Sequence, residues 1–282
     1  MKKTLGEKII FAIVSIIFLV YALVILYPFF FAIMSSLKEN GRAYINDSVS
    51  LPWPMYFGNY VKAFKELEVS NNNFFQMVFN TIWYAGGCTV LEILSSSAIA
   101  YCVCRYKFKL RNFFYGLSVF IMIIPIYGAL PSSYRLFSIL GLIDSRFYIV
   151  SAINGFGFSF LILYAYYKGV SWNYAEAAFI DGASHYSVFF KIMQPMAMPS
   201  VTAIAIMSFV GLWNDYSAPL LFMPNLPTLA SGLVLYEKET QYMANQPIYF
   251  AGAIISIIPV VTIFIVFQNT IMQNVYAGGL KG

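Results

Sequence analysis

Between Ile9 and Leu37 the chain carries no charged residue. A stretch of that length and character has no place on the surface of a water-soluble domain. It is long enough to cross the hydrocarbon of a bilayer, for which an α-helix needs about 20 residues. Similar runs recur, and the sequence predicts six spans, over residues 9–34, 74–100, 112–130, 147–167, 199–221 and 249–272. Only 10% of the residues are charged while 60% are hydrophobic, against about 25% charged in a soluble domain. The expected fold is therefore an all-α membrane protein with six transmembrane helices, in a single domain over residues 1–282. The first run is expected to be a span rather than a secretory signal peptide. Its apolar core exceeds the usual length of roughly 7–15 residues, and no clear small-residue cleavage site follows.

The basic residues set an expected orientation, because cytoplasmic loops of membrane proteins carry an excess of Lys and Arg. With both termini in the cytoplasm, the inner segments hold Lys2, Lys3, Lys8, Arg105, Lys107, Lys109, Arg111, Lys168, Lys191 and Lys281 against Glu7, Glu176 and Asp181. The outer segments then balance to zero. The run from Arg105 to Arg111 is the clearest marker, with four cations and no acid. The formal net charge of +5 thus reflects topology and does not point to nucleic acid. Cys88, Cys102 and Cys104 read as small packing residues, since a C-x-C pair without a nearby His is poor for zinc.

The longest loop, Ser35–Asn73, is expected outside the membrane. Its Trp53, Tyr56 and Phe57 suit the membrane–water boundary. Asn59 is expected to cap a short helix lying on the membrane surface, with Tyr60, Phe64 and Leu67 on one face. Pro28, Pro125 and Pro259 fall inside spans and favour kinks. The outer segment Met223–Pro247, with Tyr236, Glu237, Lys238, Glu239 and Tyr242, reads equally as a solvated loop or as a docking surface.

The segment 168–198 is a polar insert between two apolar runs. Glu176-Ala177-Ala178 should begin a short helix with small side chains that admit a close partner. Gly182 permits the sharp bend that ends it. Ala183 to Lys191 can form a second short helix with Tyr186, Phe189 and Phe190 on an apolar side. Pro195 and Pro199 fit the entry to the fifth span.

Glu-Ala-Ala, three residues, Gly, nine residues, Ile, one residue, a hydrophobic residue and Pro resembles the signature loop of binding-protein-dependent ABC importer permeases. Here the pattern reads Glu176, Ala177, Ala178, Gly182, Ile192 and Pro195, with Gln194 where that family usually has leucine. Asp181-Gly182-Ala183-Ser184 is similar to the variant in carbohydrate importers. Trp213-Asn214-Asp215-Tyr216, Ala100-Tyr101 with Arg105, Gly141-Leu142-Ile143-Asp144 and the tail Ala277–Gly282 also resemble that group, and the match covers nearly the whole chain. The size is similar to the second, smaller membrane subunit of a maltose-type system.

The resemblance implies a set of partners: a second homologous permease, two cytoplasmic ABC ATPase subunits, an extracytoplasmic solute-binding protein, a sugar substrate and membrane lipid. It implies that the ATPases, not this chain, bind ATP and magnesium, and that the insert is the coupling loop they move. The sequence agrees that no engine is present, because no G-x-x-x-x-G-K-[ST] phosphate loop occurs. The single histidine, His185, lacks partners for a hydrolytic site, and a solvated or ATPase-contacting role is expected for it. No catalytic, cofactor-binding or metal-binding residue is expected. The rival readings are a permease for a non-sugar solute, a stand-alone secondary carrier, for which two repeats would be needed, and a membrane enzyme, which would need clustered His, Asp or Glu.

Glu92 and Asp215 lie inside spans, where a carboxylate faces a bundle interior or a cavity. Trp213, Asn214, Asp215 and Tyr216 are candidate residues of the translocation path, with the indole stacking on a sugar ring. A structural role for Asp215, tying a helix end to its neighbours, is the favoured alternative. Glu92 is expected between helices against a hydroxyl such as Ser95 or Ser96. Asn154, Ser159, Gly155 and Gly157 are weaker candidates, since small residues more often mean close packing.

Overall fold

The first helix, α1 (Leu5–Ser36), begins where Thr4 and Glu7 cap each other: the Thr4 amide donates to Glu7 Oε2 at 2.8 Å and the Glu7 amide to Thr4 Oγ1 at 3.4 Å. Its apolar side chains are exposed all round, as suits a helix solvated by lipid. It continues through Pro28. The computed structural model describes residues 4–124, 128–240 and 245–279. Lys2, Lys3, Pro125, Tyr242, Leu280, Lys281 and Gly282, which figured in the sequence reading, lie outside the described residues.

Two short helices follow, α2 (Gly41–Asn46) and α3 (Gly58–Glu66). Asn59 does not cap α3, which starts one residue before it. Its buried amide nitrogen donates instead to the carbonyls of Ser36 (2.8 Å) and Lys38 (2.7 Å), pinning the end of α1. The inward face of α3 is accordingly Asn59, Ala63 and the following Leu67. Tyr60 shares a hydrogen bond with Ser36 at 2.8 Å, while Phe64 is exposed. The expected face of Tyr60, Phe64 and Leu67 is therefore displaced by one residue.

A tight turn with positive φ at Ser70 (50°) and Asn71 (57°) leads to α4 (Phe74–Arg105), opened by a second reciprocal cap between Asn73 and Gln76. Then come α5 (Arg111–Ile123), α6 (Leu130–Ile139), a 3-10 turn over Arg146–Ala152, α7 (Phe158–Gly169), α8 (Asn173–Ile180), α9 (His185–Val188), a π turn over Phe189–Met193, α10 (Gln194–Met196), α11 (Met198–Trp213), α12 (Ser217–Phe222), α13 (Leu229–Thr240) and α14 (Gln246–Gly279).

Three of these helices are long and apolar enough to cross a membrane: α1, α4 and α14 over Gln246–Asn269. A fourth arises if His185–Met196 and α11, bent by 74°, are taken as one span. The apolar runs around residues 147–167 and 199–221 are not continuous helices. The first is non-helical from Ile153 to Gly157, where Gly157 takes φ 104°. The second is interrupted from Asn214 to Tyr216. The segment after Met223, expected equally as a solvated loop or a docking surface, contains α13, and Tyr236 there is only 5% exposed, so its ring is not available to a docked partner.

Internal packing divides the chain into two units, Met1–Val69 with Leu233–Ile258, and Ser70–Gly232 with Pro259–Gly282. The second unit carries the insert. Its main core joins Ala100, Tyr101 and Cys104 of α4, Phe160, Leu163 and Tyr167 of α7, and Val201 and Ile204 of α11 to the underside of the insert. A smaller cluster gathers Tyr84, Cys88, Tyr148, Phe222 and Met223.

Candidate functional site: the Glu176 insert and the polar residues of the spans

The insert is a helical hairpin with one face buried and one face open. Helix α8 begins at Asn173, one turn before the Glu-Ala-Ala triplet that was expected to open it. Ala175 is fully buried and Ala178 half-buried, while Glu176, Ala177 and Asp181 are exposed. Small residues on the inner side let α8 lie flat on the core. At the far end the Gly182 amide donates to Phe179 O (3.0 Å) and the Ala183 amide to Ala178 O (2.9 Å). These are the two bonds of a Schellman cap, which requires a left-handed residue at the turn. Gly182 supplies it with φ 81°. Ser184 then caps α9, accepting from the Ser187 amide at 3.3 Å.

The second arm is rooted by Val188, Phe189 and Met193, all buried. Phe189 thus points into the core, apart from Tyr186 and Phe190, with which it was expected to share an apolar side. Tyr186 (80% exposed), Phe190 (55%) and Ile180 (86%) project outward. Ile192 packs partly against the core, and Pro195 stands in the first turn of α10, where its missing N–H costs nothing.

The base is tied by Arg105, His185 and Gln194, whose partners the sequence does not disclose. The Arg105 guanidinium, at the end of α4, donates to the carbonyls of Tyr167 and Val170 and lies 5.4 Å from the centre of the Trp172 ring. Tyr106 and His185 share a hydrogen bond of 2.8 Å through Nδ1, and the His185 ring packs 4.8 Å from that of Phe179. His185 is therefore an internal brace between the two arms of the hairpin and the end of α4, although its surface remains open to solvent. Gln194 is the acceptor for two buried hydroxyls, Ser97 of α4 and Tyr167 of α7 (2.7 Å from the tyrosine), which are themselves 2.6 Å apart. Its departure from leucine is thus matched by polar partners and is not a lost contact.

Among the polar residues of the apolar runs, Asp215 ties α4 to α12. Its Oδ2 accepts from the Tyr84 hydroxyl at 2.8 Å, and its Oδ1 accepts from the amides of Ser217 (2.9 Å) and Ala218 (3.3 Å), capping α12. Trp213 is 5% exposed and packs beside Phe209, so the indole presents no free face for a sugar ring. Asn214 donates to Val210 O at 2.8 Å, and Tyr216 is half-exposed. Glu92 does meet a hydroxyl, but from another helix: Ser159 donates to Glu92 Oε1 at 2.6 Å, whereas the Ser95 hydroxyl turns to backbone carbonyls. Among the described residues no group of His, Cys, Asp and Glu is arranged to hold a metal.

The chain is thus a helical protein with membrane-length apolar helices and a braced hairpin between α7 and α11. The chain belongs to the family of binding-protein-dependent transport system inner membrane components, whose model matches residues 92–275. Relatives extend over nearly the whole chain. The permease of a diacetylchitobiose uptake system from Streptomyces coelicolor is 26% identical over 96% of this chain and 89% of its own length. An arabinooligosaccharide transport permease from Halalkalibacterium halodurans is 29% identical, covering 88% and 86%. A probable permease for starch degradation products from Thermoanaerobacterium thermosulfurigenes is 27% identical, covering 100% of both. In structure, a chain of a bacterial ABC transporter that imports the acidic polysaccharide alginate superposes with a TM-score of 0.77 at 22% identity, over 95% of this chain and 99% of that one. The fold is that of an ABC importer permease, and the family is one of membrane transport components, not of enzymes.

Proposed function

We propose that the chain is one of two permease subunits of an ATP-driven importer that takes up a saccharide delivered by an extracytoplasmic binding protein. The observation that carries this reading is the hairpin Asn173–Met196. Its inner face is locked to α4 and α7, and its outer face offers Ile180, Tyr186 and Phe190 to a partner. Exposed apolar side chains on a braced support suit a docking surface that must pass movement inward. Two ATPase subunits that bind ATP and magnesium are the partners that reading requires, one on each permease. Glu176, Ala177, Asp181, Gly182 and Ser184 lie at or beside that outer face, while Ala178, Ala183, Ile192 and Pro195 seat it. The saccharide substrate is supported by the relatives, permeases named for uptake of diacetylchitobiose, transport of arabinooligosaccharides and, for the one called probable, transport of starch degradation products.

On this reading residues 1–282 form a single permease domain crossing the membrane six times, with both termini and the insert in the cytoplasm. The fourth and fifth crossings contain the breaks at Ile153–Gly157 and Asn214–Tyr216. Transport proteins place such breaks where they are enclosed by protein or line a water-filled cavity.

The test is co-purification of the tagged chain from gently solubilised native membranes, followed by mass spectrometry. An ABC ATPase, a second permease and a secreted binding protein are expected together, and that binding protein should retain a saccharide rather than a peptide or ion. A chain that purifies alone or as a homodimer across several mild detergents would overturn the proposal.

A further inference from the structure

Glu92 is a carboxylate that is only half used. It lies 18 residues beyond the start of α4, roughly 27 Å from that end at 1.5 Å per residue, and about 20 Å from the other. No part of a membrane-crossing helix is more costly for a charge. Ser159 satisfies Oε1, yet Oε2 has no hydrogen bond among the described residues and the side chain is half-exposed. A carboxylate retained only to join two helices would be enclosed, with both oxygens paired.

Beside it, one turn further along α4, the hydroxyls of Ser95 (3.3 Å) and Ser96 (2.8 Å) donate to the backbone carbonyl of Asn154. Asn154 sits in the non-helical stretch Ile153–Gly157 and is exposed. Its Oδ1 accepts from the Phe156 amide at 3.3 Å, which leaves both Nδ2 hydrogens free. Irregular backbone facing lipid does not occur inside the hydrocarbon, so this break must meet protein or water. The Ser95 and Ser96 bonds therefore hold the Asn154 segment against α4 one turn from Glu92, so a carboxylate oxygen and a carboxamide nitrogen, each without a hydrogen bond among the described residues, lie on two adjoining segments.

Resting on the reading of the chain as a saccharide permease, we infer that Glu92 Oε2 and Asn154 Nδ2 form a polyol-binding step in the translocation path. The acceptor takes a sugar hydroxyl proton and the amide donates to a neighbouring sugar oxygen. The carboxylate's charge favours neutral saccharides and repels uronic ones. Ser159 is its positioning residue, holding the carboxylate through Oε1.

The experiment uses the assembled complex in detergent, with Cys88, Cys102 and Cys104 replaced so that the exposed Cys102 thiol gives no background. Single cysteines are introduced as Glu92→Cys, Asn154→Cys and, on another side of α4, Leu94→Cys, where leucine is 47% exposed. Labelling by a small hydrophilic thiol reagent is followed by mass spectrometry. Residues 92 and 154 should label and 94 should not. Millimolar maltotriose or arabinotriose should slow labelling at both, about threefold when present at twice its dissociation constant, while trigalacturonate should not slow labelling at 154, where the Glu92 carboxylate is kept. In the native background Glu92→Gln, which keeps the Ser159 bond, should lower uptake of neutral sugar from dilute solution about tenfold, the loss of one charge-assisted hydrogen bond. Labelling at 92 no faster than at 94, or labelling that no saccharide slows, would overturn the site. Protection at 154 by trigalacturonate would overturn its preference for neutral sugars. These outcomes are independent of the co-purification result, so failure of the importer reading and failure of this site can be told apart.

Discussion

Replacing Gly182 separates backbone handedness from side-chain bulk. The residue holds φ 81°, and a Cβ built on it meets nothing within 4 Å in this chain. The intramolecular cost of any side chain there is thus conformational, about 1–2 kcal/mol for an ordinary L-residue in the left-handed region. Asparagine visits that region most readily of the non-glycine residues, and β-branched valine least. The alternative to bearing the strain is to open the cap and lose the two bonds from the Gly182 and Ala183 amides, each worth about 0.5–1.5 kcal/mol. Alanine should sit near this balance, with the cap closed but open about tenfold more often, since about 1.4 kcal/mol is one decade. Valine should tip it open.

The assay is ATP-driven saccharide uptake at matched membrane abundance of the complex, paired with hydrogen exchange of the amides at 182 and 183. Both should rank Gly, Asn, Ala, Val, with uptake falling as exchange rises. Asparagine and valine are similar in size. If the two variants lost uptake equally while exchange stayed at the glycine level, the cause would be collision with a docked partner, and the handedness argument would be refuted.

The polar node at the base of the insert should behave as a unit. Gln194→Leu leaves two hydroxyl protons and one hydroxyl–hydroxyl contact, at a cost of about 1–3 kcal/mol in equilibrium unfolding of the solubilised protein. Adding Tyr167→Phe should recover about 1 kcal/mol, because the remaining Ser97 hydroxyl can turn to its own helix, and additivity to within about 0.5 kcal/mol would refute the node. At Asp215, the Asn variant keeps an oxygen for the α12 amides but not an acceptor for the Tyr84 hydroxyl, which is buried with its ring. Folded yield and thermal resistance should fall, by about 1–2 kcal/mol, with sugar preference unchanged; an altered preference would place Asp215 on the path instead.

What could be read from the sequence was whatever depends on near neighbours. The apolar runs and the bend at Gly182 involve residues no more than a few positions apart, and their spacing states the geometry. Residues whose partners are distant were misread in a consistent direction. Asn59 has the composition of a helix cap, yet its amide is drawn 23 residues back to Ser36 O. Tyr236 has the look of a surface tyrosine, but the first unit encloses it. Gln194 reads only as a replacement of the usual leucine until Ser97, 97 residues away, and Tyr167 are seen to donate to it.

The breaks in the spans were hidden for a different reason. Hydropathy averages over a window about as long as a span, and the five residues Ile153–Gly157 do not lower that average enough to register. Yet they decide which backbone carbonyls must find new donors. Asn154 O takes the Ser95 and Ser96 hydroxyls, and the Gly157 amide donates to Ser118 Oγ at 2.9 Å. The serines of α4 and α5, apparently incidental in an apolar helix, are there because the neighbouring span is broken. A serine in a predicted span is therefore informative about the backbone opposite it. The same reasoning bears on Glu92, one turn before Ser95, whose partner Ser159 stands two residues past the break.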